Sequence, residues 1–147
     1  MFYFTYKLRL LEENEIPYNF LFVLFISVFS DIGGFIFGKI LKGPKLTKIS
    51  PNKTISGTIG SFVFSLFSII LFKFFFNNNL DVGISLVTFV LLVSLVSQLG
   101  DLFVSYLKRM ARIKDTGSLL PGHGGFLDRL DGIIFAIPFS YMLIKFI

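Results

Sequence analysis

The strongest constraint on this chain is a set of four long apolar stretches that together make up most of its 147 residues. Each is close to the roughly 20 residues that an α-helix needs to cross about 30 Å of hydrocarbon. Hydrophobic residues make up 54% of the sequence and charged residues only 16%. The sequence therefore predicts an all-α, polytopic membrane bundle of about four transmembrane helices, at about residues 18–37, 54–76, 82–107 and 130–147.

The segment ahead of the first apolar stretch does not resemble a secretory signal. It carries both basic and acidic residues, and no small-residue cleavage site follows an apolar core. We therefore expect the helix that starts at Tyr18 to be retained in the membrane. The whole chain, residues 1–147, is expected to form a single membrane-embedded domain.

Positive charge is concentrated in two of the predicted loops. The first basic loop joins the first two helices and the second joins the last two, whereas the turn at residues 77–81 has no Lys or Arg. Both basic loops must lie on one side of a four-helix bundle, and the positive-inside rule places that side in the cytoplasm, with both termini outside. For the first loop, attraction to anionic lipid headgroups is an equally simple explanation.

A polar stripe runs along the third predicted helix at spacings of three and four residues. Its members are Ser94, Gln98, Asp101, Ser105 and Lys108. Such a stripe lies on one helix face and does not face lipid. Within the membrane boundary the carboxylate of Asp101 costs at least about 2.5 kcal/mol unless it meets water, a cation or a partner. The alternative is a packing hydrogen bond, or a charge pair between Asp101 and Lys108.

Asp31 is a second acid within a predicted span. Ser27, Gly34 and Gly38 flank it at helical spacing, and such small residues allow another backbone to approach closely. This face is therefore predicted to point into the bundle. The residues alone leave open whether Asp31 binds substrate or only packs.

Two more carboxylates lie at the start of the last helix. Asp128 and Asp131 are three residues apart and share a face, so together with Asp101 they predict an all-oxygen cluster. Oxygen ligands favour Mg²⁺, which commonly uses one or two carboxylates while substrate phosphates complete its shell. A second cation is an open possibility, and the absence of Cys argues against zinc. The alternative is that the two acids only interact with the helix dipole.

The hairpin between the last two helices supplies donors for phosphate oxygens. Its cationic residues are Lys108, Arg109, Arg112, Lys114 and Arg129. A glycine-rich turn at residues 121–125 would let backbone N–H groups approach an anion closely, and it contains His123 and Gly124. Because a lipid phosphate is already ionised near neutral pH, His123 is not needed as a base. We predict that it contacts phosphate, with a purely structural role as the alternative.

The run from Ser105 to Asp131 resembles the signature of the phosphatidate cytidylyltransferase family, also called CDP-diacylglycerol synthases. The matching pattern is Ser, two residues, Lys-Arg, four residues, Lys-Asp, then Gly, Pro-Gly-His-Gly-Gly and Asp-Arg-x-Asp. Residues 98–103 look like the lead-in to this signature. Residues farther upstream resemble a second family block. They are Asp31-Ile-Gly-Gly, Gly-Lys at 38–39, Lys-Leu at 45–46, residues 50–54 and Gly57.

The resemblance implies an integral membrane enzyme that uses Mg²⁺ to condense CTP with phosphatidic acid, giving CDP-diacylglycerol and pyrophosphate. It places metal ligands at Asp101, Asp128 and, as a further candidate, Asp131. The predicted catalytic residues are these acids and Lys108. The predicted substrate-binding residues are Asp31, Lys53, Ser105, Arg109, Lys114, His123, Gly124 and Arg129. The expected partners are CTP, phosphatidic acid, the lipid bilayer and a second copy in a homodimer, but not nucleic acid. The expected location is the bacterial inner membrane, with the site facing the cytoplasm.

The sequence also departs from the family pattern. Val104 stands where an acid is common, and Asn52 and Ser56 replace a Lys and an acid. Family members are usually longer, with additional helices ahead of the part present here. Alternative functions are a non-catalytic or degraded subunit of the same family, or a small cation-relay protein that uses Asp31 and Asp101. A CDP-alcohol phosphotransferase is disfavoured, because its recurring Asp-Gly and Ala-Arg pattern is not reproduced around Asp131.

Overall fold

The structure is a computed structural model that describes residues 18–46, 50, 53–76, 84–113 and 127–146. This part of the chain forms four helices, α1 (Tyr18–Leu41), α2 (Ile55–Phe76), α3 (Ile84–Met110) and α4 (Leu127–Phe146). An isolated antiparallel bridge joins Lys45 to Thr54 between α1 and α2. The predicted all-helical architecture is therefore confirmed for the described residues.

Three of the helices have the length and composition needed to cross a membrane. Their apolar spans are Asn19–Leu41, Ile55–Phe75 and Ile84–Met110, of 23, 21 and 27 residues. All three exceed the roughly 20 residues that the hydrocarbon core requires. The apolar part of α4 is shorter, Leu130–Ile144. The described residues thus provide three of the four predicted spans at full length, and the fourth as a shorter apolar helix.

The helix ends differ from the predicted ones by up to one turn. α1 continues to Leu41, where Lys42 takes a left-handed φ of 43° and Pro44 follows. A left-handed residue is a common helix C-cap, and Pro cannot continue the hydrogen-bond ladder. α3 ends in the same way, with Arg112 at a φ of 56° and the amide of Ile113 donating to the carbonyl oxygen of Lys108 at 3.0 Å.

α1 and α2 pack backbone against backbone through glycines. A β-carbon at Gly60 would lie 2.8 Å from the carbonyl oxygen of Gly33, and one at Gly57 would lie 2.8 Å from that of Gly34. Gly38 lies equally close to the start of α2, because a β-carbon there would be 3.1 Å from Oγ1 of Thr54. The close approach predicted from the small residues around Asp31 is therefore confirmed.

α4 packs against α3 through the same kind of contact. A β-carbon at Gly132 would lie 2.9 Å from the carbonyl oxygen of Ser97, and one at Gly100 would lie 2.6 Å from the ring of Phe135. Buried apolar side chains from all four helices complete the core: Phe22, Val23, Ile26, Ile69, Phe72, Phe89, Val90, Val93, Ile133, Ala136 and Ile137. Contacts among the helices therefore make one packed bundle.

The helix order brings four helix termini to one end of the bundle, called here the charged end. The C-termini of α1 and α3 and the N-termini of α2 and α4 meet there. The loop before α2 folds back on itself, with the amide of Leu46 donating to the carbonyl oxygen of Lys53 at 2.8 Å. Thr54 caps α2, because its Oγ1 accepts a hydrogen bond from the amide of Gly57 at 3.1 Å. These contacts fix the backbone from which Lys53 extends.

We expect Gly60→Ala to destabilise the bundle by about 1–3 kcal/mol, because the new methyl group would collide with the side chain of Phe37 and the carbonyl oxygen of Gly33 on α1. The measurement is unfolding of the detergent-solubilised protein. Ile59→Ala is the matched control, since that side chain is exposed on the outer face of α2. Equal loss of stability in the two variants would contradict the proposed packing role of Gly60.

Candidate active site

A cleft of about 230 Å³ opens at the charged end between α1, α2 and α3. Its polar lining is formed by Asp31, Lys53, Thr54, Thr58, Ser61, Gln98 and Asp101, and its apolar lining includes Phe35, Leu46 and Leu102. Pockets that enclose a whole small-molecule ligand usually hold about 300–1,000 Å³. The cleft is therefore suited to a charged part of a ligand, such as a cation or a phosphate group, and not to an entire nucleotide.

An ion pair between Lys53 and Asp101 crosses the cleft. Lys53 belongs to the folded loop before α2, where its amide donates to the carbonyl oxygen of Ser50 at 3.1 Å. Asp101 belongs to α3. The two side chains are 27% and 32% exposed, so the pair remains accessible from the cleft. The pair therefore connects the first basic loop to the polar stripe of α3.

A second ion pair joins α3 to α4. Nζ of Lys108 donates to Oδ2 of Asp131 at 2.9 Å. The aspartate side chain is 2% exposed and therefore buried, and the lysine side chain, at 12% exposed, is largely shielded from water. A carboxylate so deeply buried requires an opposite charge close by. Lys108 provides that charge from the neighbouring helix.

Asp31 adds a third carboxylate to this region. It lines the cleft, and it lies close enough to Asp101, Lys53 and Asp131 to interact with their charges. The three carboxylates come from α1, α3 and α4. Together with the ammonium groups of Lys53 and Lys108 they leave one formal negative charge in excess among these five side chains. Such a set favours binding of a cation.

The polar stripe of α3 faces into the bundle, as the spacing predicts. Ser94 is buried and shares a hydrogen bond of 2.9 Å with Ser30 of α1, and the side-chain amide of Gln98 donates to Ser94 at 3.3 Å. Gln98 and Asp101 line the cleft, and Lys108 reaches Asp131. The alternative prediction paired Asp101 with Lys108, whereas in the structure Asp101 has Lys53 as its ion-pair partner.

The other predicted site residues lie in two groups. Ser105 is half-buried on α3, one turn after Asp101, and Arg109 is exposed near the end of that helix. Lys114, His123 and Gly124 lie outside the described residues, as do the side chains of Asp128 and Arg129, although the last two belong to α4. The predicted three-aspartate metal site and the predicted phosphate contacts of the hairpin therefore remain predictions.

Residues of α2 and its cap also form part of the cleft, which the sequence analysis did not predict. Thr54, Thr58 and Ser61 all line it. Their spacing of four and three residues is itself a polar stripe that ends at the charged end. Ser61 also packs beneath Gly34, where a β-carbon would lie 2.6 Å from Oγ of Ser61. Its hydroxyl therefore serves the helix contact and the cleft at once.

The donor set of the cleft fits a hard cation. Asp31 and Asp101 contribute carboxylates, and hydroxyl groups of α2 contribute further oxygens. Among the described residues, no group of three or more His, Cys, Asp or Glu side chains is arranged to hold a metal ion. One or two carboxylates are nevertheless what Mg²⁺ commonly uses, with water and substrate phosphates as its remaining ligands.

Comparison with known proteins identifies the family of this chain. The model of the Cytidylyltransferase family matches residues 1–147. The chain belongs to this family. The resemblance identified from Ser105–Asp131 is thereby confirmed.

Bacterial relatives of this Cytidylyltransferase family member carry the name phosphatidate cytidylyltransferase. The protein of Staphylococcus haemolyticus is 41% identical over 144 residues, which are 97% of this chain and 54% of the relative. The Staphylococcus aureus protein is 42% identical over the same shares. The Bacillus subtilis protein is 38% identical over 97% of this chain and 53% of its own length. The chain thus spans about half the length of the curated relatives it matches.

Proposed function

We propose that the charged end of this bundle is the nucleotidyl-transfer site of a phosphatidate cytidylyltransferase. The reaction condenses CTP with phosphatidic acid to give CDP-diacylglycerol and pyrophosphate. The names of relatives at 38–42% identity over 97% of the chain support this proposal. The observation that carries it is the cleft crossed by the Lys53–Asp101 pair at the end of three helices of membrane length.

The position of the cleft suits a reaction between a lipid and a soluble nucleotide. Phe35 and Leu102 line the cleft beside Asp31 and Asp101, and Phe35 is also exposed on the outer surface of α1. Apolar surface and charged groups therefore meet at one opening. A phosphatidate molecule can keep its acyl chains against the helices while its phosphate reaches the charged side chains, which CTP approaches from water.

The chemistry requires charge compensation more than proton transfer. An oxygen of phosphatidate attacks the α-phosphorus of CTP, the bond between the α-phosphorus and the bridging oxygen breaks, and pyrophosphate leaves with that oxygen. The attacking phosphate is already ionised, so no general base is needed. Positioning and electrostatic stabilisation then supply most of the rate acceleration. We assign the cationic side chains Lys53, Lys108 and Arg109 to the phosphate oxygens of the two substrates.

The acids of the charged end are assigned to a divalent cation. Asp101 would hold Mg²⁺, with Asp128 and Asp131 as further candidate ligands, and the negative charge of the triphosphate would allow a second cation to bind. When bound, Mg²⁺ would neutralise charge on the triphosphate and polarise the reacting phosphorus centre. Asp31 would contribute to the negative potential of the cleft that attracts the cation.

The proposed orientation places the charged end in the cytoplasm of a bacterium, with the bundle in the inner membrane. Both basic loops belong to that end, which agrees with the positive-inside rule. In this arrangement α4 completes the membrane domain as its fourth helix. A homodimer is proposed from the family resemblance alone.

The test is transfer of label from CTP into lipid by the purified chain in phosphatidate-containing micelles, with and without Mg²⁺. We expect Mg²⁺-dependent formation of a lipid-soluble nucleotide product and release of pyrophosphate. Micelles without phosphatidate are the control. Nucleotide binding without turnover would instead indicate a non-catalytic subunit, and cation flux through liposomes would indicate a relay.

A further inference from the structure

Two of the carboxylates predicted to bind metal are each paired with a lysine from another element. Asp101 of α3 is paired with Lys53 of the first loop, and Asp131 of α4 is paired with Lys108 of α3. The pairs differ in accessibility. The first lies in the open cleft with both side chains about a quarter to a third exposed, whereas the second is buried. The accessible pair can exchange its partners far more readily than the buried one.

We propose that Lys53 is an exchangeable counter-ion of Asp101. Its ammonium group holds the carboxylate before substrate arrives, gives it up to the incoming divalent cation, and then binds oxygens of the triphosphate. The proposal rests on the proposed function and deepens it, because it gives one residue two successive partners at the same site. Lys53 is thus a triphosphate-binding residue that contacts Asp101 in the substrate-free protein.

The anchoring of Lys53 supports this exchange. Its carbonyl oxygen accepts a hydrogen bond from the amide of Leu46 at 2.8 Å, and its amide donates to Ser50 at 3.1 Å. The backbone is therefore fixed, and movement falls to the flexible four-carbon side chain. The cleft of about 230 Å³ corresponds to the volume of roughly eight water molecules at about 30 Å³ each, so the ammonium group has space to turn.

Electrostatics gives the reason for such a counter-ion. Asp31 lies within range of the charges of both Asp101 and Asp131, so a site with no cation would place like charges close together. Lys53 relieves this repulsion without closing the cleft. Because partly exposed ion pairs are weak, a divalent cation competes well for Asp101. The Lys108–Asp131 pair is buried and therefore maintains the helix contact during the exchange.

The first test is binding of Mn²⁺, followed by its electron paramagnetic resonance, to the whole chain in detergent without nucleotide. Lys53→Met removes the competing ammonium group, so we expect Mn²⁺ to bind about fivefold or more tightly than to the wild type. Lys45→Met removes the same charge from an exposed position in the same loop and should leave the affinity unchanged. Lys53→Arg retains the charge and should show no gain.

The outcomes separate this inference from the proposed function. The inference is overturned if Lys45→Met strengthens Mn²⁺ binding as much as Lys53→Met does. It is also overturned if Lys53→Met does not strengthen Mn²⁺ binding. If Asp101→Asn weakens Mn²⁺ binding but Lys53→Met does not strengthen it, Asp101 keeps its role and only the exchange is lost. If Asp101→Asn leaves Mn²⁺ binding unaltered, the metal assignment fails together with the exchange. The transfer assay on the wild type decides the proposed function independently.

A second measurement needs no variant that could misfold. An amine-reactive reagent applied to the wild type should label Lys53 slowly while Asp101 holds its ammonium group. Saturating Mn²⁺ should raise the labelling of Lys53 severalfold and leave that of Lys45 unchanged, as read by mass spectrometry of the peptides. Equal labelling of Lys53 with and without Mn²⁺ would rule out the exchange.

Discussion

Asp101→Asn should reduce CTP-dependent transfer by at least about 10²- to 10³-fold, which is the scale for loss of one electrostatic contact to a transition state. Asparagine has the shape of aspartate but no charge, so it holds a divalent cation poorly and no longer pairs with Lys53. The fold should be little affected, because the Lys53–Asp101 pair is about a third exposed and such pairs contribute little to stability. The expected variant is therefore folded and inactive.

The measurement is kcat as a function of Mg²⁺ concentration, together with the unfolding temperature of each protein. Asp101→Glu is the informative companion, since it keeps the charge and should retain more activity than Asp101→Asn at high Mg²⁺. If Asp101→Asn kept more than a tenth of the wild-type kcat at every Mg²⁺ concentration, Asp101 would not be the metal ligand. A large drop in unfolding temperature would instead assign Asp101 a structural role.

Periodicity explains why much of this fold could be predicted from the sequence. Apolar stretches of membrane length specify helices, and the stripe from Ser94 to Lys108 has the helical period. An acid such as Asp101 within a span must also face a partner. From these facts the inward face of α3 follows directly. The close contact of α1 at Gly34 and Gly38 follows instead from the helical spacing of its small residues.

Helix ends and ion-pair partners could not be predicted, for two physical reasons. α1 and α3 end on left-handed Lys42 and Arg112, whereas glycine is the usual sign of such an end. The partner of Asp101 depends on how the first basic loop folds, which the bridge between Lys45 and Thr54 determines. Loop geometry of this kind has no periodicity that could be recognised in the sequence.

The contribution of α2 to the cleft illustrates an ambiguity of small polar residues. Thr58 and Ser61 have a spacing typical of a shared helix face, but in membrane helices such residues commonly mediate packing. Ser61 does pack beneath Gly34. The spacing could not show that the same face continues into the cleft, because that depends on how far apart α1 and α3 lie at the charged end.

Lys108→Met should destabilise the bundle by about 3–5 kcal/mol, the usual effect of removing one partner from a buried ion pair. The carboxylate of Asp131 would stay buried at 2% exposure while the ammonium group 2.9 Å away is lost. The free energy of unfolding in a mixed-micelle denaturant titration measures the loss. Arg109→Met is the control, because Arg109 is adjacent and exposed, so its replacement should change stability by no more than about 0.5 kcal/mol.

The double variant Lys108→Met/Asp131→Asn separates stability from catalysis. With both charges removed, no buried carboxylate needs compensation, so most of the lost stability should return. Transfer activity should not return with it, because the double variant lacks both the cation assigned to a substrate phosphate and a candidate ligand of the divalent cation. Recovery of both stability and activity would show that the pair only holds α3 against α4, and the phosphate contacts would then have to come from other cations of the charged end. A loss below about 1 kcal/mol in Lys108→Met would instead mean that another group already compensates Asp131.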